Sequence, residues 1–155
     1  MRTKPLHAFQ ALLDELFRAT GSHETLALPS AGYCRCAGLD VAICFDDSMG
    51  PSNIHAYIDF GRVAPARQSE VYRKLLLWNL RLAPKHCAVA GVDARTERVV
   101  LVAHIRFDNT LSGESLAATL RRLIQQADAW RTPAGSKAPA VRVGSGKSRS
   151  RRLLS

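Results

Sequence analysis

The chain has no apolar run approaching the roughly 20 residues that span a bilayer as a helix. Its opening segment, MRTKPLHAFQ, lacks the apolar centre and small-residue cleavage site of a secretory signal. Both absences predict a cytoplasmic protein with no membrane insertion. Cysteine is sparse, with only Cys34, Cys36, Cys44 and Cys87. Cytosolic thiols are kept reduced. The C-x-C spacing of Cys34 and Cys36 also falls short of the zinc pattern, which needs two pairs spaced C-x₂₋₄-C. At alternate positions of a strand the two thiols project on one face, so they read as small packed side chains. Acid is missing altogether from residue 132 onward, where Lys137, Arg142, Lys147, Arg149, Arg151 and Arg152 supply six of the nine net positive charges. The remaining chain carries only +3, so the basicity belongs to the tail.

An active site is equally hard to find. Asp46 and Asp47 stand at the end of a strand pattern before Gly50-Pro51, where carboxylates serve as solvated turn residues. His86 and Cys87 are neighbours in sequence, a poor arrangement for a base facing its nucleophile, and no orienting third group is evident. His7, His23, His55 and His104 show no metal-ligand spacing. The stretch GSGKS at 144–148 resembles the end of a phosphate-binding loop, but the leading glycine position is Val141. No buried strand precedes it and no helix follows to aim amides at a phosphate. The reading is a non-enzyme without metal, nucleotide or other cofactor.

What is present is alternating periodicity. Leu6, Phe9, Leu13, Leu16 and Phe17 recur at helical spacing over residues 5–19, with Pro5 suited to the first turn and Gly21 to the C-cap. The period then drops to two. GYCRCAG is followed by DVAICFDD, where Val41, Ile43 and Phe45 alternate with Ala42 and Cys44. In NIHAYIDFG, Ile54, Ala56, Ile58 and Phe60 alternate with His55, Tyr57 and Asp59. A second helix follows, with Ser69 as a candidate cap and Pro84 as its stop. CAVAGVDA and RVVLVAHIRF make a hairpin around ARTER. A closing helix, capped by Ser112 or Ser115, carries Leu116, Leu120, Leu123, Ile124, Ala127 and Trp130 in one stripe. The order α-βββ-α-ββ-α predicts an α+β domain with an antiparallel twisted sheet over residues 1–131. Residues 132–155, rich in Pro, Gly, Ser and like charges, read as a disordered basic tail.

The second helix, VYRKLLLWNLRLA at 71–83, is apolar on more than one face. A surface helix needs a single apolar stripe. Leaving Leu76, Trp78 and Leu80 in water would forgo roughly 1.5–3 kcal/mol each. The first helix is likewise broad, because Leu12 and Leu16 widen the line of Leu6, Phe9, Leu13 and Phe17. An apolar patch left open at its rim is the signature of a protein-binding surface.

The series of segments, taken in order, resembles the type III secretion chaperones of the CesT (Tir chaperone) family. ALLDELFRATG, LALPSAGYCRCAGLDVAICFDD, IHAYIDFGRV, LLLWNL with Asn79 after its leucines, GVDARTERVVLVAHI and LAATLRRLIQQADAWR carry the likeness over residues 5–131. Many such chaperones are acidic, whereas this chain has a pI near 10.0. The resemblance implies a cytoplasmic homodimer of a Gram-negative bacterium, with Leu76, Trp78 and Leu80 at the two-fold interface. It also implies that a secreted effector is held by its N-terminal segment in extended form, with the secretion apparatus as a further partner. Apolar grooves beside the first helix and the meander would receive the effector, for which Leu12, Leu16, Val41, Ile43 and Ile54 are the candidates. The competing class is a basic-tailed adaptor or nucleic-acid binder on a similar dimeric scaffold. Nucleic acid is disfavoured because the tail interleaves no aromatics for base stacking.

Overall fold

The computed structural model describes residues 3–22, 25–46, 48, 53–82 and 88–131. The expectations for His23, Asp47, Pro84, His86, Cys87, the Gly50-Pro51 turn and the whole of 132–155, GSGKS included, lie outside these residues. The elements in chain order are α1 (Thr3–Thr20), β1 (Thr25–Leu28), β2 (Ala31–Cys36), β3 (Leu39–Phe45), β4 (Asn53–Arg62), α2 (Gln68–Leu82), β5 (Ala88–Val92), β6 (Arg98–Arg106) and α3 (Gly113–Arg131). All three predicted helices and all five predicted strands are present. A sixth strand, β1, adds four residues, TLAL, too few and too weakly alternating to show a period.

Local chemistry sets the boundaries. Gly21 takes φ +65° after α1. Its N–H donates to Arg18 O at 3.4 Å, while Ser22 N–H donates to Phe17 O at 3.0 Å. This pair of bonds closes a helix through a left-handed residue. Ser112 caps α3, its Oγ accepting from Ser115 N–H at 3.2 Å, and Ser115 Oγ accepts in turn from Ser112 N–H at 3.0 Å. The start of α2 differs from expectation. A 3₁₀ turn at Pro65–Arg67 leads directly into Gln68, which places Ser69 inside the first helical turn instead of at the cap.

The strands form one six-stranded sheet in the order β1-β2-β3-β4-β6-β5. Every neighbouring pair is antiparallel. Strand parity sends Cys34, Cys36, Val41, Ile43, Ile54, Ala56, Ile58, Leu101, Ala103, Ala88 and Ala90 into the core. There α1 supplies Phe9, Leu12, Leu13, Leu16 and Phe17, and α3 supplies Leu116, Leu120, Ile124 and Trp130. Close approach of α1 to the sheet depends on Gly32, where a Cβ would stand 2.8 Å from a Leu13 methyl. The helices therefore cover one face of the sheet, and among the described residues nothing covers the opposite face.

Candidate partner-binding surfaces

Helix α2 has two apolar sides. Val71 and Leu75 are buried, Tyr72 and Trp78 pack half-buried against the core, and the Trp78 ring meets Trp130 edge-on at 6.4 Å. The opposite side carries Leu76 and Leu80, one turn apart and 67% and 75% exposed, with Leu77 beside them at 43%. On strand β5, Val89 and Val92 are exposed as well. The helix is held to β5 by Asn79, whose Nδ2 donates to Ala90 O at 2.8 Å and whose Oδ1 accepts from Ala90 N–H at 2.9 Å. A side-chain amide thus satisfies both backbone groups that Ala90 turns away from β6. Edge strands with unpaired backbone groups invite pairing with another chain. At Ala90 those groups are already engaged.

The bare sheet face is organised in rows across the strands. Tyr33, Ala42, Tyr57, Val102 and Val89 stand opposite one another in register and make an apolar stripe. Tyr33, Tyr57 and Val89 are exposed. The next row is polar at one end, where Arg35 pairs with Asp40 at 3.6 Å and Asp59 receives two bonds from Arg98 Nε, at 3.0 and 2.8 Å. Together they line a concavity of about 820 Å³ between Tyr33, Ala42, Tyr57, Val100 and the end of α1. An apolar floor rimmed by charge suits an extended peptide with apolar side chains. At the far side of the sheet, β1 is the terminal strand, and Leu28 on it is exposed.

The residues singled out from sequence are placed as follows. Leu76 and Leu80 share one exposed face, whereas Trp78 turns inward to the chain's own core and is not part of that face. Leu12 and Leu16 were expected partly open at a rim, yet they are 4% and 0% exposed. Val41, Ile43 and Ile54 are buried with them. The reason is α3. It crosses α1 so closely that a Cβ on Gly113 would lie 2.4 Å from Glu15 C and 2.5 Å from Leu16 N. Glu15 Oε2 also accepts from Gly113 N–H at 2.8 Å, which ties α1 to the start of α3. The second apolar flank of α1 faces α3 at Leu16 and, at Leu12, the segment leading into α3, where Phe107 and Leu111 lie. Tyr33 and Tyr57 sit at the polar phase of their strands, beside Arg35 and Asp59, so an aromatic in that phase is the available signal; Val89 lies in an apolar strand whose alternation marks no wet face.

The cysteine and carboxylate chemistry is structural. Burial, with Cys36 alongside, pushes the Cys34 thiol up to about 12. Cys36 and Cys44 are also raised by burial. Asp46 lies below the usual carboxylate range because Ser48 donates to it through both hydroxyl and backbone N–H, the turn role its position suggested. Among the described residues no group of three or more His, Cys, Asp or Glu is placed to hold a metal ion. Nor is any described helix long and apolar enough to cross a membrane.

Comparison with known proteins agrees with this fold. The profile of the Tir chaperone protein (CesT) family matches residues 11–131. The fold is similar to a chain of the HopA1–SchA chaperone–effector complex, with 14% identity, TM-score 0.60, and coverage of 83% of this chain and 96% of that one. It is similar too to a chain of the ExsC–ExsE complex, with 19% identity, TM-score 0.58, and coverage of 88% and 100% respectively. No curated protein matches significantly.

Proposed function

Because the chain belongs to the Tir chaperone protein (CesT) family, we propose that it is a cytoplasmic type III secretion chaperone. In this reading a homodimer binds the N-terminal segment of one or more secreted effectors in extended form and keeps it soluble and export-competent. The observation that carries the proposal is the amount of apolar surface that the described residues leave uncovered. It falls in two places that suit two occupants.

The first is the outer side of α2. Leu76, Leu77 and Leu80, with Val92 on the adjoining strand, form a compact patch suited to its own symmetry mate. Asn79 supports docking by side chains here in place of a continuous sheet, since the β5 backbone at Ala90 is already satisfied. The second is the bare face from β1 to β4. There the Tyr33–Ala42–Tyr57 stripe offers purchase for apolar effector side chains, and terminal strand β1 offers a backbone edge. Leu12, Leu16, Val41, Ile43 and Ile54 contribute from beneath by holding α1 and the meander in shape. Binding needs no cofactor.

The test begins with the protein that co-purifies stoichiometrically from the native bacterium. Its N-terminal segment alone should bind the full chain and remain without a globular fold in the complex. Binding that maps to a folded domain of the partner, or a partner that is never secreted, overturns the proposal. Deleting residues 132–155 should leave dimerisation and effector binding intact. Salt-sensitive DNA or RNA binding that disappears with the deletion would assign the tail to nucleic acid instead.

A further inference from the structure

On the bare face, the row beyond the tyrosine stripe holds Cys44, His55 and His104 on three adjacent strands, His55 standing in register with both others. His55 is 7% exposed, yet its Nε2 is buried with no hydrogen-bond partner. An imidazole buried in a sheet ordinarily finds a donor or acceptor for each ring nitrogen. Beside it stands another imidazole. The His104 ring lies across it at 76°, with centroids 4.5 Å apart, and His104 is exposed.

The other neighbours are poor partners for that nitrogen. The Tyr57 ring is further away, at 6.4 Å. Cys44 offers only a weak S–H donor and makes no hydrogen bond to it. Asp46 is itself engaged by Ser48. What remains is a pair of imidazoles on directly opposed positions of neighbouring strands, one fixed by burial and the other free to turn on the solvent side. Imidazole is a preferred ligand of the late first-row divalent ions. Two of them fixed to neighbouring strands bind as a chelate, without the ordering cost of gathering separate ligands.

We propose that His55 and His104 form a two-imidazole site for a late divalent transition-metal ion, of the class Ni²⁺, Cu²⁺ and Zn²⁺. Water completes the coordination, since the described residues supply no third protein ligand to a cluster. The ion would clip β4 to β6 from the open side of the sheet. Because the pair exists only in the folded chain, binding raises thermal stability by mass action. This inference does not depend on the secretion-chaperone reading.

The experiment uses the full chain without an affinity tag and titrates it with NiCl₂ by calorimetry, with MgCl₂ as the control. The expected result is one Ni²⁺ per chain at micromolar affinity, a higher melting temperature with Ni²⁺, and no response to Mg²⁺. His104→Ala, on the exposed ring, should fold normally and weaken Ni²⁺ binding roughly tenfold or more, the scale on which damaged metal sites lose affinity. His7→Ala should leave it unchanged. No binding up to millimolar Ni²⁺ overturns the proposal. So does binding unaltered in His104→Ala, or abolished by His23→Ala, His86→Ala or removal of 132–155, each of which places the ion elsewhere.

Discussion

Asn79 stands in for a strand at Ala90, giving one hydrogen bond to its carbonyl and taking one from its N–H. A single planar amide thereby satisfies the outward backbone groups of Ala90 and anchors α2. Replacing Asn79 with leucine leaves both backbone groups of Ala90 without partners. The expected loss is about 1–3 kcal/mol, read as a lower urea midpoint at unchanged slope. Asn79→Asp, which retains the acceptor and removes the donor, should fall between Asn79→Leu and the wild type. If Asn79→Leu proves as stable as wild type, water replaces the amide at no cost.

The outer side of α2 should control association without controlling folding. Leu76→Glu and Leu80→Glu alter residues exposed in the single chain. Light scattering should give about twice the 17.0 kDa chain mass for wild type and the chain mass for the variants, with unchanged circular dichroism. Trp78→Asp should behave differently, since its ring packs on Trp130 and its loss damages the core. A monomeric wild type at micromolar concentration removes the dimer from the proposal.

Burial turns Leu16 and Leu12 into stability residues. Leu16→Ala should cost about 2–5 kcal/mol, as expected for truncating a fully buried leucine. Leu12→Glu should lower the melting temperature strongly, because a carboxylate would be forced into a buried position beside Phe107 and Leu111. Effector binding should fall only in proportion to the unfolded fraction. Binding lost by a variant that remains fully folded would return these leucines to the contact surface.

Gly113 is required by proximity, since a Cβ there would run into the backbone of Glu15 and Leu16. Backbone cannot swing aside as a side chain does. Gly113→Ala should therefore push α3 from α1 and cost roughly 1–3 kcal/mol as an overpacked contact. Gly91→Ala, with nothing near its Cβ position, is the control and should change little.

Alkaline pH should weaken the fold through Cys34. Its thiol titrates near 9 in the unfolded chain and near 12 when folded. Between those values the folded state holds a proton that the unfolded state has released, so stability falls as pH rises. Below about 9 both states are protonated and the effect vanishes. Melting temperatures from pH 8 to 10.5 should decline less steeply in Cys34→Val than in wild type. Parallel curves would show that burial does not hold the proton.

Periodicity alone determined most of the architecture. The helical spacing of Phe9, Leu13 and Leu16, and the alternation of Val41 and Ile43 and of Ile54 and Ile58, are consequences of backbone geometry acting locally. So is the excess of leucine on α2, because a stretch that serves two faces cannot hide its second one from a pattern count. Which partner meets each face is decided at long range. Leu12 and Leu76 look alike in sequence, each an extra leucine beside a good apolar stripe. Tertiary structure separates them, since the segment leading into α3 packs beside Leu12 at Phe107 and Leu111, whereas no described element returns along the outer side of α2. The same holds for the alternate strand phase. Tyr57 reads as the wet side, and only the register of β2, β3 and β4 lines it up with Tyr33 and Ala42 as one surface. Local sequence specifies which groups are apolar; their assembly into a core or an open face depends on contacts between segments far apart in the chain.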